Sequence, residues 1–281
     1  MRRRRVSALG ALRSTAMATH LLIIGGGPAG NNAATYAARY GAEVTMVERD
    51  LIGGAAHLLD CIPSKTMIAT GGAMTFLRRS TGMGLEETTP EVDTDALTAR
   101  IEGIKSHLQA GTTQLLESQG VRMITGTARF ASPNTAEIET VDGLEVVGFD
   151  VALIATGSRP RIPEWCHPDG DRILTTRDCY PPKEFPRSIT VVGSGVTGVE
   201  FVHMFSSFGA AVTLVVSRQQ VLPAKDPEVA AVLEDDFLKR GVKLLKGARA
   251  IAIDRDHEQD DVVVRCDYGR VVRSSHAVLA I

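Results

Sequence analysis

Cysteine is scarce in this sequence, and its scarcity limits the chemistry that the chain can support. The 281 residues include four cysteines, at positions 61, 166, 179 and 266. This is far below the density of a secreted disulfide scaffold. None of the four has a CxxC spacing, so no metal site is predicted. The pattern favours a reducing cytoplasm.

The chain also lacks an excess of charge and a long apolar run. Its 31 basic and 33 acidic residues give a formal net charge of −2, which offers no field for binding nucleic acid or an anionic membrane. No apolar stretch reaches the roughly 18 residues that a membrane-spanning helix requires. The composition, with 44% hydrophobic and 23% charged residues, is that of a globular protein of about two domains. We therefore expect small-molecule partners, no nucleic acid and no membrane span.

The segment MRRRRVSALGALRSTAMA, residues 1–18, is basic and has no acidic residue. Its final Ala-Met-Ala triplet imitates a signal-peptide cleavage site, but its apolar middle is short. One interpretation is a targeting segment. The other, which we favour, is that residues 1–16 are a disordered or untranslated extension and that synthesis begins at Met17.

A repeat of 31 residues stands out in the sequence. HLLIIGGGPAGNNAATYAARYGAEVTMVERD at 20–50 returns as SITVVGSGVTGVEFVHMFSSFGAAVTLVVSR at 188–218, with Gly25 and Gly193 168 positions apart. Each copy has a β-branched run, a glycine cluster, a helical stretch and a second β-rich run. This order is typical of a βαβ unit that opens a doubly wound parallel sheet. The predicted fold class is α/β, with two Rossmann-like dinucleotide-binding domains and helices on both faces of each parallel sheet.

The first glycine cluster has the spacing GxGxxG and supplies what a dinucleotide needs. Gly25 permits a tight turn, Gly27 lets the backbone approach a pyrophosphate, and Gly30 lets helix and strand pack closely. Free N–H groups at the helix start then bind the diphosphate. Glu48 lies at the end of the next predicted strand, where a carboxylate accepts a ribose 2′-hydroxyl. We predict dinucleotide binding by this copy.

The second glycine cluster, GSGVTG at 193–198, differs from the first at the ribose position. Where Glu48 stands in the first copy, the second strand is predicted to end in Ser217 and Arg218. Without a carboxylate there, a 2′-phosphate is not repelled, and Arg218 can neutralise one. Two interpretations stay open: the copy accepts NADPH, alone or alongside NADH, or Arg218 is a solvated loop charge.

Between the two copies the sequence predicts a helix and a small antiparallel sheet. Apolar residues at helical spacing indicate a helix near 93–119, and the alternating runs at 122–125 and 135–141 indicate an inserted β-meander. A buried strand then precedes a proline-bearing linker in FDVALIATGSRPRIP at 149–163. We place the domain boundary in this linker.

From residue 20 onward, the motifs resemble those of the two-dinucleotide-binding flavoproteins that include dihydrolipoamide dehydrogenase and glutathione reductase. The shared motifs are GxGxxG with Glu48, CIPSK at 61–65, ATG at 155–157, the second GxGxxG with Glu200, and VLPAKD at 221–226. The resemblance implies an FAD-binding domain at 17–158 and an NAD(P)-binding domain at 159–281. It also implies that Lys65 and Glu200 lie near the reactive edge of the flavin.

Elementary electrostatics agrees with this role for Lys65. A lysine beside a flavin stabilises its anionic reduced ring, and a nearby carboxylate holds that lysine in place. Taken alone, Lys65 would be a surface helix charge. The predicted catalytic residues are Lys65, Glu200 and Cys61. The predicted cofactor-binding residues are Gly25, Gly27, Pro28, Ala29, Gly30, Glu48, Gly54, Ala128, Ala155, Thr156, Gly157, Gly193, Gly195, Val196, Thr197, Gly198, Glu200, Ser217 and Arg218.

Disulfide reductases of this family use a Cys-x4-Cys pair, and this chain has half of it. Aligning GGAAHLLDCIPSK at 53–65 through its glycines and its CIPSK puts Ala56 at the distal position and Cys61 at the proximal one. Thiol–disulfide exchange would lack its attacking sulfur. The other three cysteines have no paired spacing and are predicted to be buried or incidental thiols. Cys61 either is a small apolar residue that packs beneath the flavin, or it alters the electronic properties of the flavin.

Three departures from the disulfide reductases point to a subgroup. The double alanine after Gly-Gly and the Asp60-Cys61 pair resemble actinobacterial flavoproteins that are named disulfide reductases but act as NAD(P)H quinone reductases. Val196 stands where many disulfide reductases carry a tyrosine that covers the flavin. The resemblance implies hydride transfer from NAD(P)H to FAD and on to a quinone or similar acceptor. A transhydrogenase, a dihydrolipoamide dehydrogenase-like enzyme and an inactive dinucleotide-binding fragment remain alternatives.

The family continues beyond SSHAVLAI, residues 274–281, with a second FAD-contacting segment and a C-terminal dimerisation domain. We therefore expect a C-terminally truncated chain in which that domain is absent and the NAD(P)-binding domain is incomplete. A homodimer is expected of the full-length parent only.

Overall fold

A computed structural model of the protein describes residues 18–86, 88 and 90–281. The predicted N-terminal extension at 1–16 lies outside the described residues. Within the described residues, no helix is long and apolar enough to cross a membrane. The helices are α1 Pro28–Arg39, α2 Ile62–Arg79, α3 Thr94–Ser118, α4 Val196–Ser207 and α5 Pro227–Lys239, with a π-helical turn at Ala56–Cys61 and 3₁₀ turns at Ser80–Met83, Thr176–Cys179 and Asp267–Gly269.

The strands form two parallel sheets and two antiparallel sheets. They are β1 His20–Ile24, β2 Glu43–Glu48, β3 Arg122–Thr125, β4 Thr127–Ser132, β5 Thr135–Thr140, β6 Gly143–Gly148, β7 Val151–Ile154, β8 Ile173–Thr175, β9 Ser188–Val192, β10 Ala211–Val216, β11 Lys243–Lys246, β12 Ala250–Asp256, β13 Asp261–Cys266, β14 Val271–Ser274 and β15 His276–Leu279. The parallel sheets have the orders β3-β2-β1-β7 and β11-β10-β9-β15-β8. The antiparallel sheets, β4-β5-β6 and β12-β13-β14, include the predicted β-meander. The predicted α/β fold class is confirmed.

The two copies of the repeat have the same lengths as well as the same order. The elements β9, α4 and β10 have the bounds of β1, α1 and β2, each moved by 168 positions. This register corrects one detail of the sequence analysis. The residue equivalent to Glu48 is the buried Val216, because β10 ends there, and Ser217 and Arg218 lie in the turn that follows.

The chain divides into two compact units, one made of residues 18–52 and 113–156 and the other of 53–112 and 157–281. Residues 53–112, which are predicted from the sequence to lie in the first domain, therefore fold with the second unit. The reason is apolar packing, since Met67 of α2 and Ile101 of α3 share one buried core with Phe201 of α4. The assignment of one cofactor to each domain stays a prediction.

Strand β15 carries a buried histidine in the second unit. His276 is 1% exposed, its Nδ1 lies 3.0 Å from Ser275 Oγ, and its Nε2 has no hydrogen-bond partner among the described residues. Burial, followed by the positive charge of Arg172, lowers the pKa of His276 to about 4. The folded protein thus holds this imidazole neutral through the mildly acidic range.

A pH dependence of stability follows from this histidine. In the unfolded chain His276 binds a proton near pH 6.5, whereas in the folded chain it does so only near pH 4. The free energy of unfolding should therefore fall as the pH drops through this window. Urea unfolding of wild type and His276→Phe at several pH values measures the effect. The free energy of unfolding of the variant should fall less with decreasing pH than that of wild type. Equal pH dependence in both proteins would contradict this expectation.

Candidate functional site

In the first unit, the turn between β1 and α1 leaves no room for side chains at two glycines. Gly25 has a φ of +115°, and a Cβ there would lie 2.2 Å from the carbonyl oxygen of Ala155. A Cβ on Gly30 would lie 1.9 Å from the carbonyl oxygen of Gly25. Ala155 is fixed beside this turn because its N–H donates to the carbonyl of Ile24 at 2.8 Å. The turn therefore requires glycine for steric reasons.

The N-terminus of α1 is open to an anionic ligand. Among the described residues, no side chain caps it, and Pro28 and Ala29 form its first turn after Gly27. By contrast, Asp226 caps α5 by accepting hydrogen bonds from the N–H groups of Glu228 and Val229. Free N–H groups at a helix start bind phosphate, so this turn fits the diphosphate of a dinucleotide.

Glu48 lies beside the glycine turn at the end of β2, as predicted. Its Oε2 accepts a hydrogen bond from the N–H of Gly26 at 2.6 Å, and its Oε1 accepts one from the N–H of Asp50 at 2.7 Å. Each carboxylate oxygen has further lone pairs, so a ribose hydroxyl can still donate to it. The structure thus brings together the residues of the first copy that are predicted to bind the phosphate and the ribose.

In the second unit, the turn between β9 and α4 repeats this geometry. Gly193 has a φ of +116°, and a Cβ on Gly198 would lie 1.9 Å from the carbonyl oxygen of Gly193. Gly195 is the N-cap of α4 and makes no side-chain cap. It has open space instead, because no atom of the part of the chain that the structure describes lies within 4 Å of the position its Cβ would take. This space beside a free helix N-terminus also fits a diphosphate.

A cleft of about 470 Å³ lies next to the start of α4 within the second unit. Lys65 of α2 and Glu200 of α4 line it, and Lys65 Nζ is 2.9 Å from each carboxylate oxygen of Glu200. The side chains of Lys65 and Glu200 are 54% and 42% exposed, so the pair is partly solvated. Val196 and Thr197 line the same cleft from the first turn of α4. The predicted catalytic lysine and glutamate are therefore in contact.

A second ion pair lines this cleft and was not predicted. Arg177 Nε and Nη2 each lie 3.3 Å from one carboxylate oxygen of Asp60. Asp60 belongs to the π-helical turn just before Cys61, and Arg177 to a 3₁₀ turn 117 positions later in the chain. Tyr180, whose pKa is raised by burial, and the exposed Arg159 also line the cleft.

The cysteines differ sharply in accessibility. Cys61 is exposed and lines the cleft, together with Ala56. Cys166, Cys179 and Cys266 are buried. Burial raises the pKa of Cys166 to about 11 and also raises the pKa values of Cys179 and Cys266. Thiols in this state are poor nucleophiles.

The remaining predicted residues are not among those that line this cleft. Ala128 is in β4, within the antiparallel sheet of the first unit. Gly54 is buried, with a φ of +75°, just before the π-helical turn. Thr156 is the last residue of the first unit, and Gly157 begins the C-terminal segment of the second unit. Ser217 and Arg218 line a separate cleft beside Gly193.

Comparison with known proteins agrees with this architecture. The sequence matches the pyridine nucleotide-disulphide oxidoreductase family over residues 19–281. It is 41% identical over 277 residues to NAD(P)H dehydrogenase (quinone) of Mycobacterium tuberculosis, a match that covers 94% of this chain and 56% of that protein. It is 33% identical over 270 residues to a dihydrolipoyl dehydrogenase of Zymomonas mobilis, covering 94% of this chain and 58% of that protein. The chain thus spans little more than half the length of these relatives.

The solved structures give the same result. The crystal structure of LpdA from Mycobacterium tuberculosis is similar with a TM-score of 0.85 at 40% identity, over 94% of this chain and 58% of that one. Members of this family of oxidoreductases use FAD together with NAD(P)H, the two cofactors predicted from the motifs. The match over nearly all of the described residues shows that this chain belongs to the pyridine nucleotide-disulphide oxidoreductase family.

Proposed function

We propose that this chain belongs to an enzyme that passes hydride from NAD(P)H to FAD and on to a quinone or a similar diffusible acceptor, without a redox-active disulfide. The proposal is supported by the relative named NAD(P)H dehydrogenase (quinone) and by the residues that line the cleft. A small diffusible acceptor needs no partner protein, and the cytoplasm remains the predicted compartment.

The observation that carries the proposal is the single accessible thiol. A disulfide relay needs two cysteines close enough to exchange. The side chain facing the cleft at the distal position is that of Ala56, and the three other thiols are buried. Their raised pKa values keep them protonated at neutral pH. Cys61 therefore has no second thiolate with which to form or reduce a disulfide.

The Lys65–Glu200 pair supplies the electrostatics of the proposed reaction. When bound, FAD supplies the chemistry that accepts a hydride and delivers two electrons to an acceptor. The Lys65 ammonium has three N–H donors, and Glu200 accepts two of them. The third remains for another acceptor. Glu200 thus orients the lysine, so that Lys65 can stabilise negative charge that develops in the cleft.

Val196 keeps the cleft accessible from the start of α4. Its side chain is 60% exposed and lines the cleft beside Thr197. A planar nicotinamide or quinone ring needs such an uncovered, partly apolar wall. The same open wall would allow donor and acceptor to enter in turn.

The proposal is tested with the purified 281-residue chain loaded with FAD under anaerobic conditions. NADPH should bleach the visible flavin absorbance, and a naphthoquinone should restore it, whereas oxidised lipoamide should not. Lipoamide as the better acceptor would contradict the proposal, and faster transfer to a second nicotinamide would show a transhydrogenase. Failure of NADPH to bleach bound FAD would also contradict it for this chain.

A thiol count separates the proposed route from a disulfide relay in the same experiment. Reducing a cystine exposes two new thiols, whereas a route without a disulfide exposes none. We expect a thiol reagent to titrate one accessible cysteine, Cys61, before and after reduction by NADPH. A rise of two thiols on reduction would contradict the proposal.

A further inference from the structure

Arg177 lines the cleft at the start of α4 from a short, capped turn at the end of β8. Strand β8 pairs in parallel with β15, and its last residue, Thr175, caps the 3₁₀ turn Thr176–Cys179. The N–H and the hydroxyl of Thr175 both donate to Asp178 Oδ2, at 2.7 and 2.6 Å. The carboxyl edge of a parallel sheet is where α/β proteins bind their ligands. The backbone that carries Arg177 is therefore fixed at an edge suited to a ligand.

Asp60 orients the Arg177 side chain and uses one edge of its guanidinium group. The Nε and Nη2 atoms of Arg177 each lie 3.3 Å from one carboxylate oxygen of Asp60. A guanidinium group has five N–H donors in a planar fork, so three remain. They belong to Nη1 and to the outer N–H of Nη2, which form a second edge of the fork. Among the described residues, Nη1 has no hydrogen-bond acceptor, so this second edge is free for an oxygen of a ligand.

The free edge belongs to a cation that is largely shielded from water. The Arg177 side chain is 26% exposed, whereas that of Lys65 is 54% exposed. Arg240 of the same unit is also shielded, but both of its Nη atoms donate to protein oxygens, on His203, Ser206, Ser207 and Asp236. A shielded donor without an acceptor is costly. A ligand oxygen that accepts from Arg177 is therefore bound more strongly than one at the open surface.

The proposed reaction produces an oxygen that needs such a partner. A quinone that receives a hydride gains an electron pair, and the charge of the hydroquinone anion lies on its oxygen until water supplies a proton. Donors that are already oriented towards a developing negative charge lower the barrier to its formation. Of the described cations that line the cleft, Lys65 and Arg177 are the two that a carboxylate orients. Lys65 has been assigned to the flavin, which leaves Arg177 for the acceptor.

The cleft has room for an acceptor beside this arginine. Ala56 begins the π-helical turn that carries Asp60, and it lines the cleft with only a methyl group. The volume of about 470 Å³ lies within the range of small-molecule sites.

We propose that Arg177, which Asp60 holds by two hydrogen bonds, binds a carbonyl oxygen of the electron acceptor and stabilises the negative charge that this oxygen gains on reduction. The inference rests on the proposed function, because it requires a diffusible acceptor to enter this cleft. It adds the residue that recognises the acceptor and the chemical class that this residue selects, a two-electron acceptor with a carbonyl oxygen.

Equilibrium binding tests the contact without electron transfer. The probe is a dimethylated naphthoquinone, in which both free carbons of the quinone ring carry methyl groups that block addition of the Cys61 thiol. It is titrated by calorimetry into the oxidised chain loaded with FAD. Arg177→Gln should weaken its binding about tenfold, since a hydrogen bond to a charged group is worth at least that factor. Arg177→Lys keeps the charge but not the planar fork, and it should lose less affinity.

Two further variants control for charge. Lys183→Gln removes an exposed positive charge of the same unit outside the cleft, and it should bind the probe like wild type. The double variant Asp60→Asn with Arg177→Gln leaves no unpaired carboxylate, and it should bind as weakly as Arg177→Gln alone. Wild-type affinity in either variant that lacks Arg177 would overturn the proposal, as would the absence of detectable binding to wild type.

Reoxidation of the reduced flavin separates recognition of the acceptor from binding of the cofactors. After NADPH has bleached the flavin, the dimethylated naphthoquinone should restore the absorbance about 100-fold more slowly in Arg177→Gln than in wild type. Hexaammineruthenium(III) accepts single electrons and has no oxygen for Arg177 to bind, so it should not react more slowly with the variant. An equal loss with both acceptors, or slower bleaching by NADPH, would overturn the proposal by assigning Arg177 to the cofactors.

The inference and the proposed function fail in different ways. If the probe binds wild type more tightly than Arg177→Gln but does not reoxidise the flavin, the proposed function fails and the binding site stands. If the probe reoxidises the flavin equally well in both proteins, the inference fails alone.

Discussion

Replacing Gly198 with alanine is expected to cost roughly 3 kcal/mol or more of unfolding free energy. The new Cβ would lie 1.9 Å from the carbonyl oxygen of Gly193 and 2.8 Å from its carbon. Both are backbone atoms of the β9–α4 turn, so relief requires α4 to move away from the sheet. Denaturant unfolding monitored by circular dichroism measures the loss.

Gly195→Ala is the matched control three residues earlier. Gly195 has a φ of −72°, which any residue adopts, and no described residue has an atom within 4 Å of its Cβ position. Its stability should change by less than about 1 kcal/mol, whereas its affinity for a nucleotide should fall, because the methyl group occupies the space that fits the diphosphate. Unchanged stability in Gly198→Ala would contradict the steric argument. Unchanged nucleotide binding in Gly195→Ala would contradict the assignment of the diphosphate to this turn.

Replacing Lys65 with methionine is expected to slow flavin reduction by NADPH about 100-fold. Removing one group that stabilises developing negative charge typically costs a factor of that order. Methionine keeps the length and the apolar stem of lysine but has no charge and no N–H donor. Anaerobic stopped-flow measurement of flavin bleaching in the FAD-loaded variant gives the rate.

The stability of the same variant separates a chemical effect from a structural one. The Lys65–Glu200 pair is about half exposed, and such pairs contribute about 0–1 kcal/mol to folding. Lys65→Met should therefore melt close to wild type, and Lys65→Arg, which keeps the charge, should recover part of the rate. A wild-type reduction rate in Lys65→Met would show that the lysine is not part of the electron-transfer site.

The parts of the fold that the sequence predicted correctly are those fixed by local sterics and periodicity. A side chain at four glycines would collide with a neighbouring backbone carbonyl: Gly25, Gly30, Gly193 and Gly198. The spacing of these glycines therefore predicts the turn. The helix predicted near 93–119 forms at Thr94–Ser118, because its apolar spacing matches a helical period over seven turns.

The parts that escaped prediction depend on contacts between distant residues. Nothing local to α2 indicates that it packs beside α4 in the second unit. The ion pair between Asp60 and Arg177 joins residues 117 positions apart, and only the folded chain brings them together. Charged residues also carry no periodic signal, so an arginine that will line a cleft resembles one that will remain in solvent.

The equal lengths of the two βαβ copies set where the second strand of each copy ends relative to its glycine turn. A helix of 12 residues such as α1 or α4 descends about 18 Å along the sheet, and a strand of six residues such as β2 or β10 climbs back about 20 Å. The second strand therefore ends level with the glycine turn, at the same edge of the sheet. One residue added to the helix would rotate its far end by about 100°, and one added to the strand would turn its last side chain to the opposite face. Both copies can thus vary in side chains, whereas a change in the length of either element would move the last residue of the strand away from the glycine turn.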